Sequence, residues 1–149
     1  MNNIAESVTE EKEKTSLLSG MELLSAVQGT LIGSFVLNRL SFTTVATDSR
    51  QVVPGTLFVP LIGEKQDGHA YIPQALEKGA SAVFVTRSVF EANRAAYESL
   101  SASYGDVAFI AVKNTLHALQ DAAACYVSKF PHLVRCAVTG SSGKTAAGR

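Results

Sequence analysis

Two unbroken runs of apolar residues constrain the fold of this chain most strongly. Residues 82–86 and 107–112 show no alternation of polar and apolar residues, and each is followed by a segment with helical periodicity. Strands without alternation are typical of a sheet that is covered on both faces. Strands that alternate with helices indicate a mainly parallel sheet with right-handed crossovers. We therefore predict a layered α/β fold in which these two runs are adjacent central strands.

The remaining pattern predicts the elements around this sheet. Ser19 and Glu22 have the spacing of a helix N-cap and its partner, and Gly29 indicates where that helix ends. Pro60 lies within a predicted strand and indicates a sheet edge or a bulge. The predicted helices are residues 19–27, 72–78, 88–101 and 115–130. The predicted strands or extended stretches are residues 30–36, 40–46, 56–62, 82–86, 107–112 and 133–138.

Composition excludes several classes of protein. Of the 149 residues 46% are hydrophobic, which is enough for one domain with a sizeable core. Thirteen basic residues balance thirteen acidic ones, so neither nucleic acid nor an anionic membrane is expected as the main partner. No apolar run approaches the roughly 18 residues of a membrane span. The sequence predicts neither a secretory signal nor a disulfide framework, and we expect a cytoplasmic protein in which Cys125 and Cys136 are buried thiols.

A glycine-rich loop follows the predicted strand at residues 133–138. Its residues are Thr139, Gly140, Ser141, Ser142, Gly143, Lys144 and Thr145. Glycines let successive backbone N–H groups turn towards phosphate oxygens. Lys144 supplies a charge for the β- and γ-phosphates, and the Thr145 hydroxyl can ligate Mg²⁺. The loop therefore predicts a site for a nucleoside triphosphate.

Two other interpretations of this loop remain open. The full phosphate-loop pattern has a glycine where this chain has Val138. A Gly-Ser-Ser-Gly run is also typical of flexible linkers. The chain could then be an unrelated phosphate-loop protein, or an α/β binding module without catalysis.

The middle of the chain carries a second group of polar residues. Asp48, Ser49 and Arg50 follow an extended stretch and offer an acceptor, a hydroxyl and a guanidinium, which suit a phosphate or a base edge. Pro54-Gly55 and Asp67-Gly68 indicate tight turns. These residues could instead be turn formers only, with Arg50 paired to Asp48 or Asp67.

The order of these motifs resembles one known family. Asp48-Ser49-Arg50, Pro54-Gly55, Leu57-Phe58-Val59, Gly63, Asp67-Gly68-His69 and Gly79-Ala80 resemble the N-terminal domain of the Mur ligases. The phosphate loop comes where that family begins its central ATP domain. The polar and charged start of the chain predicts a mobile tail at residues 1–18. The resemblance implies a UDP-sugar-binding domain at residues 19–130, and the opening strand and loop of an ATP domain at residues 131–149.

The resemblance also implies an activity. Mur ligases use ATP and Mg²⁺ to activate a carboxylate as an acyl phosphate, which an incoming amine converts to an amide in peptidoglycan precursor synthesis. The resemblance implies a catalytic role for Lys144 and the role of Mg²⁺ ligand for Thr145. It also implies a UDP-sugar site that contains Ser49, Arg50, Lys65 and Gln66. The family has three domains, so we expect this chain to be a fragment without ligase activity, from a monomeric enzyme.

The branch of the family is the last prediction. The loop and the Asp67-Gly68-His69 triplet are most similar to members that join D-alanyl-D-alanine to UDP-N-acetylmuramoyl-tripeptide, although residues 71–75 suit the sister that adds the third amino acid equally well. His69 is either a ligand contact or a helix-start residue. His117 is expected on a helix surface and His132 in a loop. No metal-ligand spacing exists among these histidines.

Overall fold

A computed structural model of the chain describes residues 16–130. The strands within this range are β1 (Thr30–Ile32), β2 (Thr44–Ala46), β3 (Thr56–Phe58), β4 (Ala82–Thr86) and β5 (Ala108–Val112). The α-helices are α1 (Gly20–Val27), α2 (Ile72–Glu77), α3 (Arg87–Ala92), α4 (Arg94–Ser103) and α5 (Thr115–Ser128). Three short 3₁₀ turns, Leu37–Arg39, Ser49–Gln51 and Gly68–Tyr71, connect them. The strand predicted at residues 133–138 and the predicted phosphate loop lie outside the described residues.

The strands form one mainly parallel sheet. Their order is β1-β5-β4-β3-β2, and the four strands from β2 to β5 are parallel to one another. At the edge, β1 runs antiparallel to β5. The prediction of adjacent inner strands is confirmed, because Val83 pairs with Phe109 and Phe84 with Ile110 along the β4–β5 ladder.

The core occupies both faces of this sheet. Val83 and Phe109 lie on the face that α2, α3 and α4 cover, and Phe84 and Ile110 on the face that α1 and α5 cover. All four side chains are fully buried. Burial of one such side chain stabilises the fold by about 1.5–3 kcal/mol. The absence of alternation in the sequence therefore has the expected cause: each strand has helices on both sides.

The first helix begins as its sequence predicts. The Ser19 side chain accepts a hydrogen bond from the Glu22 amide at 3.0 Å, and the Glu22 carboxylate accepts one from the Ser19 amide at 2.9 Å. This reciprocal pair satisfies two amides that a helix N-terminus otherwise leaves free. Leu18, within the segment predicted as tail, is only 1% exposed, and the Leu17 amide donates to the Phe42 carbonyl at 2.8 Å. The packed part of the chain therefore already includes Leu17 and Leu18.

The structure corrects three details. The helix predicted at residues 88–101 is two helices, α3 and α4, separated at Asn93, whose side-chain amide donates to the Val89 carbonyl at 2.9 Å. Such a local bond competes with helical continuation. Pro60 marks neither an edge nor a bulge: β3 lies between β2 and β4 and ends two residues earlier. Cys125 is partly rather than fully buried, and Cys136 lies outside the described residues.

Candidate functional site

A cleft opens at the carboxyl ends of the parallel strands β2 and β3. This edge of a parallel sheet is where α/β proteins commonly bind ligands. The cleft has a volume of about 590 Å³, within the usual range for small-molecule sites. Its lining residues are Thr47, Asp48, Ser49, Arg50, Leu61, Gly63, Gln66, Gly68, Tyr71 and Gln74. Three of the four residues expected to bind a UDP-sugar are therefore together here.

The first wall of the cleft is the 3₁₀ turn that follows β2. Asp48 starts this turn by accepting a hydrogen bond from the Arg50 amide at 2.9 Å. The side chain of Ser49 is buried, with the residue 6% exposed, and its hydroxyl donates to Oε1 of Gln74 at 2.9 Å. The turn after β2 is thereby joined to the first turn of α2.

Arg50 pairs with Asp48, one of the two partners considered from the sequence. Nη2 of Arg50 lies 2.8 Å from Oδ2 of Asp48, and Nε lies 3.1 Å from Oδ1. These bonds lower the pKa of Asp48 to about 2 and raise the pKa of Arg50. Among the described residues, Nη1 of Arg50 has no hydrogen-bond partner, and the side chain is 81% exposed. One edge of the guanidinium is occupied, and the other is available to an anion in the cleft.

The Pro54-Gly55 turn supports this wall. The Thr56 amide donates to the Val53 carbonyl at 3.1 Å, and Gly55 has a φ of +90°. Those features define a type II turn, with proline at the second position and glycine at the third. The predicted turn is confirmed, and it reverses the chain between the Ser49–Gln51 turn and β3.

The second wall is the loop after β3. The Gly63 amide donates to the Gln66 carbonyl at 2.7 Å, which closes a tight turn around residues 64 and 65. Gln66 lines the cleft, whereas Lys65 is exposed and is not among the lining residues. Lys65 thus stands apart from the other three predicted UDP-sugar residues.

The sequence does not single out two polar lining residues near α2. Tyr71 and Gln74 lie at the start of α2, where residues 71–75 served only to compare branches of the family. The signal that could have found them is positional. A helix that follows a parallel strand begins near the carboxyl edge of the sheet, so its first turn can reach the site.

His69 is a helix-start residue, as one of its two interpretations held. It lies in the Gly68–Tyr71 turn, is buried, and is not among the cleft residues. Asp67 caps this turn by accepting a hydrogen bond from the His69 amide at 2.9 Å. Burial opposes ionisation of Asp67, but hydrogen bonds from the His69 amide and ring outweigh it and lower its pKa. His117 is exposed on α5, as expected.

The predicted ATP and Mg²⁺ residues, Thr139 to Thr145, lie outside the described residues. Within residues 16–130, no three side chains of His, Cys, Asp or Glu come together as a metal site requires. In the same range no helix combines the length and the apolar character needed to cross a membrane.

The chain is similar to known ligases in sequence. The family model described as "Mur ligase family, catalytic domain" matches residues 41–126. The UDP-N-acetylmuramoyl-tripeptide–D-alanyl-D-alanine ligase of Treponema pallidum is 44% identical over 129 residues, which are 87% of this chain and 27% of that protein. The enzyme of the same name from Bacillus subtilis is 41% identical over 68% of this chain and 20% of its own length.

A sister enzyme and a crystal structure are also similar. The UDP-N-acetylmuramoyl-L-alanyl-D-glutamate–2,6-diaminopimelate ligase of Bacteroides fragilis is 38% identical over 71% of this chain and 20% of its own length. MurF from Acinetobacter baumannii matches 72% of this chain and 20% of its own with a TM-score of 0.55 at 23% identity, a likeness of fold. The chain spans about a quarter or less of the length of these relatives.

Proposed function

Because the chain belongs to the Mur ligase family, we propose that it is the UDP-sugar-binding part of an ATP-dependent amide-bond ligase. The whole enzyme would join D-alanyl-D-alanine to UDP-N-acetylmuramoyl-tripeptide in peptidoglycan precursor synthesis, in the cytoplasm and as a monomer. Family membership makes an unrelated phosphate-loop protein a poor alternative. The cleft between the Ser49–Gln51 turn and the loop at residues 63–66 is the proposed binding site for the UDP end of the substrate.

One observation carries this proposal: Gln66 lines the same cleft as the adjacent pair Ser49 and Arg50, although it comes from a different loop. The free edge of the Arg50 guanidinium suits a diphosphate, because it can donate charge-assisted hydrogen bonds in a fixed planar arrangement. Ser49 and Gln66 can hydrogen-bond to the sugar or the base. Lys65, on the exposed tip of the same loop, would reach the ligand only from outside the cleft.

The ATP site is proposed for residues 131–149. ATP supplies the phosphoryl group that activates the substrate carboxylate. The proposed roles are contact with the β- and γ-phosphates for Lys144, ligation of Mg²⁺ for Thr145, and backbone or hydroxyl contacts to phosphate for Thr139, Gly140, Ser141, Ser142 and Gly143. This division makes residues 19–130 the UDP-sugar domain.

The branch of the family rests on the comparisons. The D-alanyl-D-alanine ligases of Treponema pallidum and Bacillus subtilis are 44% and 41% identical to this chain, against 38% for the diaminopimelate ligase of Bacteroides fragilis. The sister activity, which adds the third amino acid, remains the alternative. It would use UDP-N-acetylmuramoyl-dipeptide in place of the tripeptide.

Calorimetric titration of the 149-residue chain tests the proposed site. We expect saturable binding of UDP-N-acetylmuramoyl-tripeptide and of UDP, and none of N-acetylmuramoyl-tripeptide, which lacks the nucleotide. Binding that is equally strong without the UDP group would contradict the assignment of the cleft.

Enzyme assays test the activity and the branch. We expect no ATP-dependent amide formation by the 149-residue chain. The enzyme that contains the rest of the family's domains should form amide from UDP-N-acetylmuramoyl-tripeptide and D-alanyl-D-alanine. Turnover only with the dipeptide substrate and a single amino acid would identify the sister activity instead.

A further inference from the structure

The ring of His69 connects the loop of the cleft to the central sheet. Its Nδ1 lies 2.6 Å from Oδ1 of Asp67, and its Nε2 accepts a hydrogen bond of 2.9 Å from the Thr86 amide. The side chain is only 5% exposed. Both ring nitrogens are therefore engaged, one by the end of the cleft loop and one by the last residue of β4.

This arrangement specifies the state of the ring. Nε2 needs a free lone pair to accept the Thr86 N–H, so the proton of the neutral imidazole is on Nδ1 and is donated to the Asp67 carboxylate. The paired residues of β3 and β4 end at Phe58 and Val83, so β3 does not extend far enough to pair with Thr86. The His69 ring serves as the acceptor that a strand neighbour would otherwise provide.

The loop itself is held tightly at the same point. The Gly68 amide donates to the Leu61 carbonyl at 2.8 Å, and Ile62 and Asp67 form an isolated antiparallel bridge. A Cβ at Gly68 would lie 2.8 Å from the Leu61 nitrogen, so glycine permits this close approach. Leu61, Gly63, Gln66 and Gly68 all line the cleft. The position of Asp67 therefore affects the position of the cleft wall at residues 61–68.

From these contacts we propose that His69 is a positioning residue for the cleft. It is not itself a lining residue, but through Asp67 it holds the wall at residues 61–68 against the end of β4. The ligand whose binding it supports is the UDP-sugar, so this inference rests on the function proposed for the cleft.

Two substitutions of His69 test its bond to Asp67 and its bond to the Thr86 amide separately. His69→Gln can keep an acceptor near the position of Nε2, and His69→Asn can keep a donor near the position of Nδ1. Val107→Ala is the matched control, because Val107 is buried in the same core but lies before β5, at the end of the strand far from the cleft. Each variant is measured by thermal melting and, well below its melting temperature, by calorimetric titration with UDP-N-acetylmuramoyl-tripeptide.

We expect both His69 variants to raise the Kd about tenfold, because each loses one of the two ring hydrogen bonds: His69→Gln the charge-assisted bond to Asp67, and His69→Asn the bond from the Thr86 amide. Val107→Ala should lower the melting temperature and leave the Kd within about twofold. Asp67→Asn keeps an oxygen that caps the His69 amide but removes the carboxylate charge to which the ring Nδ1–H donates. It should therefore weaken binding in the unsubstituted chain but add nothing to His69→Gln. A Kd that is unchanged in both His69 variants, with only the melting temperature lowered, would overturn the proposal.

Hydrogen exchange provides a readout that does not depend on the ligand. Loss of protection confined to the amides of Gly63, Gly68 and Thr86 in His69→Gln supports the positioning role, whereas uniform loss across the sheet overturns it. If the unsubstituted chain binds no UDP-sugar, the function proposed for the cleft fails, and exchange at these amides still decides whether His69 holds the loop.

Discussion

The hydroxyl of Ser49 donates a hydrogen bond of 2.9 Å to Oε1 of Gln74, 25 residues later in the chain. This bond joins the turn after β2 to the first turn of α2, and both residues line the cleft. The Ser49 side chain is buried, whereas Gln74 is exposed. The buried partner of this bond therefore depends on an exposed one for its orientation.

Replacement of Ser49 by alanine should loosen this junction. Loss of the bond should lower the free energy of unfolding by about 1 kcal/mol, because the exposed Gln74 amide can exchange its lost partner for water. Without a fixed Gln74, the Kd for UDP should rise about two- to tenfold. Ser101→Ala is the control: its hydroxyl donates to the Glu98 carbonyl on α4, away from the cleft. Equal Kd values for the two variants would argue against a role of Ser49 in the site.

Removal of the Arg50 guanidinium should affect one substrate only. In the complete enzyme, Arg50→Ala should raise the KM for the UDP-sugar about ten- to a hundredfold and leave the KM for ATP nearly unchanged, because the diphosphate loses charge-assisted hydrogen bonds. The melting temperature should change little, since Arg50 is exposed.

Arg94→Ala is the matched control for Arg50. Arg94 is also exposed and also pairs with a carboxylate, that of Glu98 at 3.6 Å, but it lies on α4. Both KM values should stay unchanged in this variant. If Arg50→Ala lowers the melting temperature and raises both KM values alike, Arg50 only ties Asp48 into the fold.

Asp48 should remain ionised at unusually low pH. The hydrogen bonds from Arg50 bring the pKa of its carboxyl from 3.8 to about 2. Because the folded pKa is the lower one, the contribution of the pair to stability is present above pH 4 and is lost as the pH falls towards 2. Titration followed by NMR of the Asp48 carboxyl carbon should show this value in the native chain and a return towards 3.8 in Arg50→Ala. An Asp48 pKa that is the same in both proteins would show that Arg50 does not hold the carboxylate in solution.

Substitution at Gly68 should distort the cleft wall. A Cβ there would lie 2.8 Å and 3.0 Å from the backbone nitrogen and oxygen of Leu61, and backbone cannot move aside cheaply. Gly68→Ala should therefore cost about 1–3 kcal/mol of stability and weaken UDP binding. Gly105→Ala is the control, because nothing lies within 4 Å of a Cβ at that position. Melting curves and calorimetry on the two variants make the comparison; similar stability of both would mean that the Leu61 contact is not retained in solution.

Local sequence alone determined the elements whose causes are local. Ser19 and Glu22 predict the start of α1 because the two partners of the capping box are three residues apart. Pro54-Gly55 predicts its turn because proline has a fixed φ that suits the second position and glycine can adopt the positive φ of the third. The apolar runs predicted inner strands, since only a strand covered on both faces lacks polar positions.

Only the tertiary structure decided what depends on distant neighbours. The position of β3 between β2 and β4, despite Pro60, follows from pairing across the sheet. The buried bond between the His69 ring and the Thr86 amide joins residues 17 apart, and Gln74 reaches the cleft because α2 begins at its edge. The spacing of residues predicts neither contact, because it indicates only which side chains share a face of one helix or strand. Which elements then lie side by side is settled by long-range packing.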